Sequence, residues 1–311
     1  MTYILLAVGF ALLILGGDVL VRGAVTLAER LGVSPLLVGL TVVGFGTSTP
    51  ELVTSLDAAL SGAPGIAVGN VIGSNTANIL LILGAGALIF PVAVSPTAFR
   101  RDGAMVALAS LAAAGVLLTG TVSRPAGALL LAGLVGYVVI AYRLERGPVA
   151  APDSDTFPAP TGNLWRPALL TLVGITITIA GARLLVSSAT TLAQAWGVSE
   201  TVIGLTIVAV GTSLPELVTG LVAALRRQGD IAFGNVVGSN IYNILGILGI
   251  TALVKPIPVP AQIVTFDIWV MLAATAALSL AAVTGWRVSR AEGTAFLVAY
   301  AAYTTWLVVA A

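Results

Sequence analysis

The sequence predicts an all-α membrane protein of ten transmembrane helices, arranged as two inverted five-helix repeats, and three observations support this. The chain has 311 residues, of which 58% are hydrophobic and only 9% charged, and its mean hydropathy of +1.06 leaves too little polar surface for a chain dissolved in water. Its apolar sequence divides into ten stretches close to the ~20 residues that a span requires. Its second half repeats its first. A net charge of +1, with basic residues placed singly or in pairs, argues against a nucleic-acid footprint. The absence of Cys and His excludes thiolate and imidazole metal sites, disulfides and histidine proton relays. Any ion chemistry must use oxygen.

The first span, 3–28, opens with "MTYILLAVGF", which lacks a basic leader region and a small-residue cleavage site and runs on into apolar sequence. It reads as a retained helix. Spans at 35–60, 66–90, 103–119 and 125–144 complete the first half, 1–144. Next comes "ERGPVAAPDSDTFPAPTGN", rich in Pro, Asp and Gly and too short for a folded domain, within a cytoplasmic linker at 145–164. Spans at 165–194, 200–225, 231–254, 265–284 and 291–310 make up the second half, 165–311. An external N-terminus puts Arg30, Arg100, Arg101, Arg143, Arg146, Arg166, Arg226, Arg227, Arg287 and Arg290 on the cytoplasmic side, leaving Arg124 and Lys255 outside. That bias predicts a multi-pass protein of the cell membrane with both termini external. Abundant alanine and the excess of arginine over lysine point to a prokaryotic, GC-rich source.

The halves repeat with a fixed offset. Thr47 and Thr212, Ser74 and Ser239, and Gly32 and Gly197 are each 165 residues apart, and from "GVS" at 32–34 to "ILG" at 82–84 the copies align without a gap. This is an internal duplication. With five spans per half, the second copy enters the membrane from the opposite face, as in folds that place their substrate site near the midplane on interrupted helices.

The duplicated segments carry the chemistry. "GTSTPELVTS" at 46–55 and "GTSLPELVTG" at 211–220 each set a glutamate beside a proline within an apolar run. Pro50 and Pro215 have no N–H to offer the carbonyls of Gly46 and Gly211, and freed carbonyls in a membrane persist only where they are repartnered or line a wet cavity. Thr47, Ser48 and Glu51 fall at helical spacings on one face, as do Thr212, Ser213 and Glu216. The second motif is "GNVIGSNTANI" at 69–79, matched by "GNVVGSNIYNI" at 234–244. Ser74 and Asn78 are four apart, as are Ser239 and Asn243. Pooled at the axis, these segments offer two carboxylates and the oxygens of Ser74, Asn78, Ser239 and Asn243. Calcium takes six to eight oxygens at about 2.3–2.6 Å. One Ca²⁺ cancels the charge of the two glutamates, and two Na⁺ do so equally.

Bland readings compete with this one. Gly69 and Gly73 form a small-residue pair whose ordinary role is helix packing. An intramembrane glutamate, whose burial costs roughly 2.5–3.5 kcal/mol on insertion scales, is by default functional. Asp18 and Arg22 lie four apart and form a pair by spacing. The repeat-mate of Asp18 is Arg183, and the two are expected to meet between helices one and six, with a snorkelling Arg183 as the alternative. Asp57 reads as a wetted rim residue.

The four motifs resemble the two alpha-repeats of the sodium/calcium exchanger family, within the calcium/cation antiporters, and the likeness covers the whole ten-helix layout. It implies an antiporter whose paired carboxylates bind Ca²⁺ and Na⁺ in alternation. Glu51 and Glu216 would be the central ligands, Thr47 and Thr212 would give carbonyls, and Ser74, Asn78 and Ser239 would complete the sites. Carbonyls at Gly44 and Ala209 would serve flanking sodium positions, and helices one and six would slide as a gate. Asn243 stands where well-known members have aspartate, which weakens the case for three sodium ions and for selectivity among Na⁺, Li⁺ and H⁺. The form "GTSxPEL", present twice, favours the sodium branch over the proton-coupled one. The rivals are an H⁺-coupled antiporter of the same fold and a cation channel. Enzyme chemistry is disfavoured, because no His, Cys or phosphate-binding "GxxxxGK[ST]" loop supplies it. No cofactor is expected; the partners are inorganic cations and the bilayer.

Overall fold

A computed structural model describes residues 1–146, 163–197 and 209–310. The linker expected at 145–164 falls mostly outside the described residues, as does the first part of the span expected at 200–225. Among the described residues the chain is helical, with four two-residue strands. Helix α1 spans Thr2–Leu31, and a bent pair follows, α2 at Pro35–Thr47 and α3 at Thr49–Leu60. Then come α4 (Pro64–Ile89), α5 (Pro96–Leu117) and α6 (Arg124–Arg146). The second half holds α7 (Trp165–Ala195), α8 (Ala209–Thr212), α9 (Leu214–Leu225), α10 (Gly229–Val254), α11 (Ile263–Val283) and α12 (Arg290–Ala310). Six of these are long and apolar enough to cross a membrane, and seven if the bent pair counts as one span. α5 begins seven residues before the span expected at 103–119, because Pro96 opens the helix ahead of the charged run Arg100–Asp102.

Local signals explain the boundaries. Gly32 ends α1 at a positive φ of 63°, and the N–H of Val33 returns to the Ala28 carbonyl. Ser34 then caps α2 by accepting from the Leu37 N–H at 3.1 Å, with Pro35 as the first helical residue. Hydropathy does not signal four π-helical stretches, Gly39–Val43, Asn78–Leu83, Tyr242–Leu248 and Ile263–Asp267. Each locally widens the helix, a feature frequent at functional positions.

Helices α4 and α10 are 72% and 83% buried along their most apolar stretches, against 33% and 28% for α1 and α7. The centre therefore belongs to the segments that carry the repeated motifs. α1 and α7 lie antiparallel along one side of it. Gly9, Gly16 and Gly23 on α1 and Gly174 and Gly181 on α7 recur every seven residues, so each set lines one face of its helix. A Cβ on Gly16 would sit 2.6 Å from the Thr178 backbone nitrogen, and one on Gly174 would sit 2.5 Å from that of Leu20. Only glycine permits such backbone contact.

Pairwise contacts follow the repeat. Strand β1 (Val92–Ala93) pairs with β4 (Arg287–Val288), and β2 (Thr121–Val122) pairs with β3 (Ile257–Pro258), both antiparallel. Replacing each strand of the first pair by its repeat-mate gives the second pair. Ser110 and its mate Thr275 meet at 3.2 Å. The Tyr137 hydroxyl donates to Asp102 at 2.9 Å, and the Tyr303 hydroxyl donates to Asp267 at 3.0 Å. The surroundings of these two aspartates differ. Arg101 pairs with Asp102 at 2.6 Å and with Glu145 at 3.3 Å, whereas Phe266, the mate of Arg101, stacks on Tyr303 and meets Trp306 in a tilted contact.

The ion pair expected between Asp18 and Arg183 does not form. Asp18 is paired with Arg22 and Arg226, and the Arg183 side chain is exposed. The close approach of α1 to α9, where a Cβ on Gly17 would lie 3.1 Å from Val218, brings Arg226 within reach of Asp18. Asp57 is exposed, as expected of a rim residue.

Candidate functional site

The first repeated motif does not form one continuous kinked helix with Thr47, Ser48 and Glu51 on a single face. The chain breaks at Ser48 (φ −81°, ψ 11°), and α2 and α3 diverge by 43°. Ser213 takes the same conformation (φ −90°, ψ 8°) between α8 and α9. Pro50 and Pro215 each fall in the opening residues of the new helix, where a missing N–H removes no helical bond. Glu51 and Glu216 therefore lie in the first turns of α3 and α9, at helix N-termini that favour negative charge.

The two copies reach into each other. The Ser48 hydroxyl donates to Glu216 Oε1 at 2.8 Å, and the Ser213 hydroxyl donates to Glu51 Oε1 at 3.2 Å. Each glutamate is thus held by the serine of the opposite copy, which brings the two carboxyl groups to one place. Both are 1% exposed. Asn70 donates to the Glu51 carbonyl at 3.1 Å, and its mate Asn235 donates to the Glu216 carbonyl at 3.2 Å. These two asparagines were not singled out in the sequence. The signal for them was the residue after the first glycine in both copies of "GNV".

Of the remaining predicted residues, Ser74 reaches this centre through Ser213, and the others lie on the helices that carry the repeated motifs. Ser74 Oγ lies 3.5 Å from Ser213 Oγ, and the Ser239 hydroxyl donates to the Gly44 carbonyl at 3.2 Å. Thr47 Oγ1 lies 3.0 Å from the Val43 carbonyl and 3.2 Å from Asn235 Oδ1, so its side chain ties α2 to α10. The Gly44 carbonyl, expected to serve a flanking sodium position, also accepts from the Ser48 N–H at 3.2 Å. Its neighbourhood is tight, since a Cβ on Gly44 would stand 2.9 Å from the Ser239 nitrogen. Asn78 opens the π-helical stretch of α4 and donates to Asn240 Oδ1 at 3.0 Å; Asn240 in turn donates to the Asn75 carbonyl at 3.3 Å. Asn243 lies in the corresponding stretch of α10 and is 1% exposed. Thr212 closes α8 and is partly buried, and Ala209 opens that helix at the edge of the described residues. Gly234 and Gly238 press on the backbone of α2 at Leu36 and Leu40, whereas a Cβ on Gly69 or Gly73 would meet nothing within 4 Å among the described residues.

One class of atoms stands out. Oε2 of Glu51, Oε2 of Glu216, Oδ1 of Asn78 and both amide atoms of Asn243 are buried without a hydrogen-bond partner among the described residues, as are Asn75 Oδ1, Thr219 Oγ1 and Thr251 Oγ1. Buried polar atoms are otherwise almost always paired. Carboxylate, amide and hydroxyl oxygens are hard donors, the kind that alkaline-earth and alkali cations take. Among the described residues no group of three or more His, Cys, Asp or Glu residues is placed to hold a metal, so any cation here relies on two carboxylates plus neutral oxygens.

Known proteins are similar to this chain in sequence and fold. The chain is 39% identical over 310 residues to a protein named putative antiporter CaxA from Alkalimonas amylolytica, covering 96% of each. It is 33% identical over 343 residues to the protein named sodium/calcium exchanger MaX1 from Methanosarcina acetivorans, covering 97% of each. Its fold superposes on the solved structure of the sodium-calcium exchanger NCX_Mj with a TM-score of 0.86 at 32% identity, covering 98% of both chains. The family described as Sodium/calcium exchanger protein matches residues 1–143 and 167–309. With both copies of the motif inside that match, this chain is a multi-pass membrane protein that belongs to the sodium/calcium exchanger family.

Proposed function

We propose that this chain is a secondary antiporter that exchanges Ca²⁺ for Na⁺ across the cell membrane by alternating access. Its ten spans form two inverted five-helix repeats, both termini face the outside, and the substrate cations bind between the copies. Glu51 and Glu216 are the central ligands. Ser74, Asn78, Ser239 and Asn243 add neutral oxygens, Ser48 and Ser213 hold the carboxyl groups in place, Thr47 and Thr212 give backbone carbonyls, and the carbonyls of Gly44 and Ala209 serve the flanking sodium positions.

The observation that carries this reading is the reciprocal serine–glutamate bonding, which leaves one oxygen of each carboxylate buried and unbonded. Two glutamates in a dry site need a compensating charge of +2, which one Ca²⁺ or two Na⁺ supply. Sliding the outer helices across an empty, doubly charged site would cost several kcal/mol, so the gate moves only when the site is filled. That rule couples one ion to the other without covalent chemistry or a cofactor.

Isotopic Ca²⁺ flux in proteoliposomes tests the reading, with Na⁺, Li⁺ and pH gradients compared side by side. The expected result is saturable Ca²⁺ counterflow driven by an opposing Na⁺ gradient. Uptake driven by a pH gradient without sodium would make the protein H⁺-coupled, and flux without counterflow would make it a channel.

A further inference from the structure

The Asp18 carboxylate joins the outer helix pair to a helix of the site. Its Oδ1 accepts from Nε and Nη2 of Arg226, which caps the C-terminus of α9, the helix whose first turn carries Glu216. Its Oδ2 pairs with Arg22 at 2.9 Å, one turn further along α1. Both oxygens of a single acid are therefore taken, one by its own helix and one by the core. Beside it Gly17 brings α1 close to α9, within van der Waals reach of Val218 and Val222. The contact is polar and directional in a region otherwise packed by apolar side chains.

The repeat does not reproduce it. The mates of Asp18, Arg22 and Arg226 are Arg183, Ser187 and Ser61, a set with no acid. Arg183 is exposed on α7, and the Ser187 hydroxyl is spent on the Leu184 carbonyl. The bundle is two-fold in its strand pairs and its glutamate–serine bonds, yet among the described residues the mates of the Asp18–Arg226 pair do not fasten the other end by charge.

We infer that Asp18–Arg226 is a one-sided latch, holding α1 and α7 against the site helices at the end of the bundle that carries Arg226 and so favouring the state open at the opposite face. The inference rests on the alternating-access reading above, in whose orientation the latched end is cytoplasmic and the favoured state faces outward. To open the latched end, the α1–α7 pair must part Arg226 from Asp18. Arg22 stays with the acid and partly compensates its charge while the two are apart, which keeps the step reversible.

The chain contains no cysteine, so a single thiol reports on it cleanly. Val21 lies one turn beyond Gly17 and is 1% exposed. The experiment measures how fast a membrane-impermeant maleimide, applied from the Arg226 end, labels Val21→Cys in proteoliposomes. Asp18→Asn and Arg226→Gln should each raise the rate roughly two- to fivefold, the scale of a partly exposed ion pair. Arg226→Lys, and the exchange Asp18→Arg with Arg226→Asp, should bring it back toward the parent. Parental labelling rates in both neutral variants, or acceleration that the charge exchange fails to reverse, would overturn the latch. If a neutral variant aggregates, the lysine variant and the exchange still decide between a charge effect and a packing effect. Labelling reports the position of α1 whichever ion is carried, so failed Ca²⁺ counterflow in the parent protein would remove the exchange reading without touching this result.

Discussion

The centre of the molecule and the α1–α7 pair are both built from duplicated sequence, but they are held together by different forces. At the centre, directional polar bonds cross between the copies, serine to glutamate and asparagine to asparagine, and each fixes a particular atom. In the outer pair, glycines spaced by seven let two backbones touch, and the contact is one of shape. Shape locks the two helices to each other along their length, while the Asp18–Arg226 pair ties them to the core. The difference gives a physical division of labour. The polar centre resists shear because moving it breaks several buried bonds at once. In the proposed exchange cycle the glycine-seamed pair is the part that shifts, because apolar surfaces slide with little change in energy once the Asp18 contact is released.

The comparison can be broken most directly at the centre. Glu51→Gln or Glu216→Gln should lower Ca²⁺ flux on the order of 10²- to 10³-fold, because breaking a buried charge balance costs roughly 3–5 kcal/mol. Isotopic uptake in proteoliposomes checks this, and parental flux in either variant would remove the carboxylates from the mechanism. The seam comes next. Gly16→Leu or Gly181→Leu forces a side chain into the facing backbone and should cost roughly 1–3 kcal/mol, read as lower thermal stability in detergent. Gly115→Ala, inside α5 where a Cβ meets nothing within 4 Å, is the control expected not to lower stability. A smaller effect sharpens the symmetry of the centre. Ser48→Ala and Ser213→Ala each remove one hydroxyl from a ligand carboxylate and should weaken apparent Ca²⁺ affinity by about tenfold. The two losses should be similar, since each serine serves the other copy's glutamate. A large effect from one serine alone would mean that a single copy dominates binding.

How much of this was legible follows from the kind of signal each feature leaves. Composition and apolar run length announced a membrane protein, and the 165-residue offset announced the repeat. The expense of burying a carboxylate in lipid singled out Glu51 and Glu216 before any coordinates. Asn70 and Asn235 were passed over because an asparagine that braces a carbonyl looks no different in sequence from any other polar residue on a helix. The π-helical stretches at Asn78 and Tyr242 escaped because an extra residue in a turn leaves no mark on hydropathy. The repeat itself misled at Asp18. It suggested Arg183 as a partner, but the symmetry pairs positions and does not decide which side chains touch across a groove.

The sequence by itself determined the chemistry of this protein: which side chains are charged, which segments are apolar, where glycine and proline interrupt, and that all of it occurs twice. These are local or periodic properties, written in residue type and spacing. Only the tertiary structure decided that each serine bonds the opposite copy's glutamate, that the helices break at Ser48 and Ser213 rather than bend, and that Arg226 reaches Asp18. Those outcomes depend on how far apart packed backbones stand, and that distance is set by all the contacts between helices together rather than by any one stretch of chain.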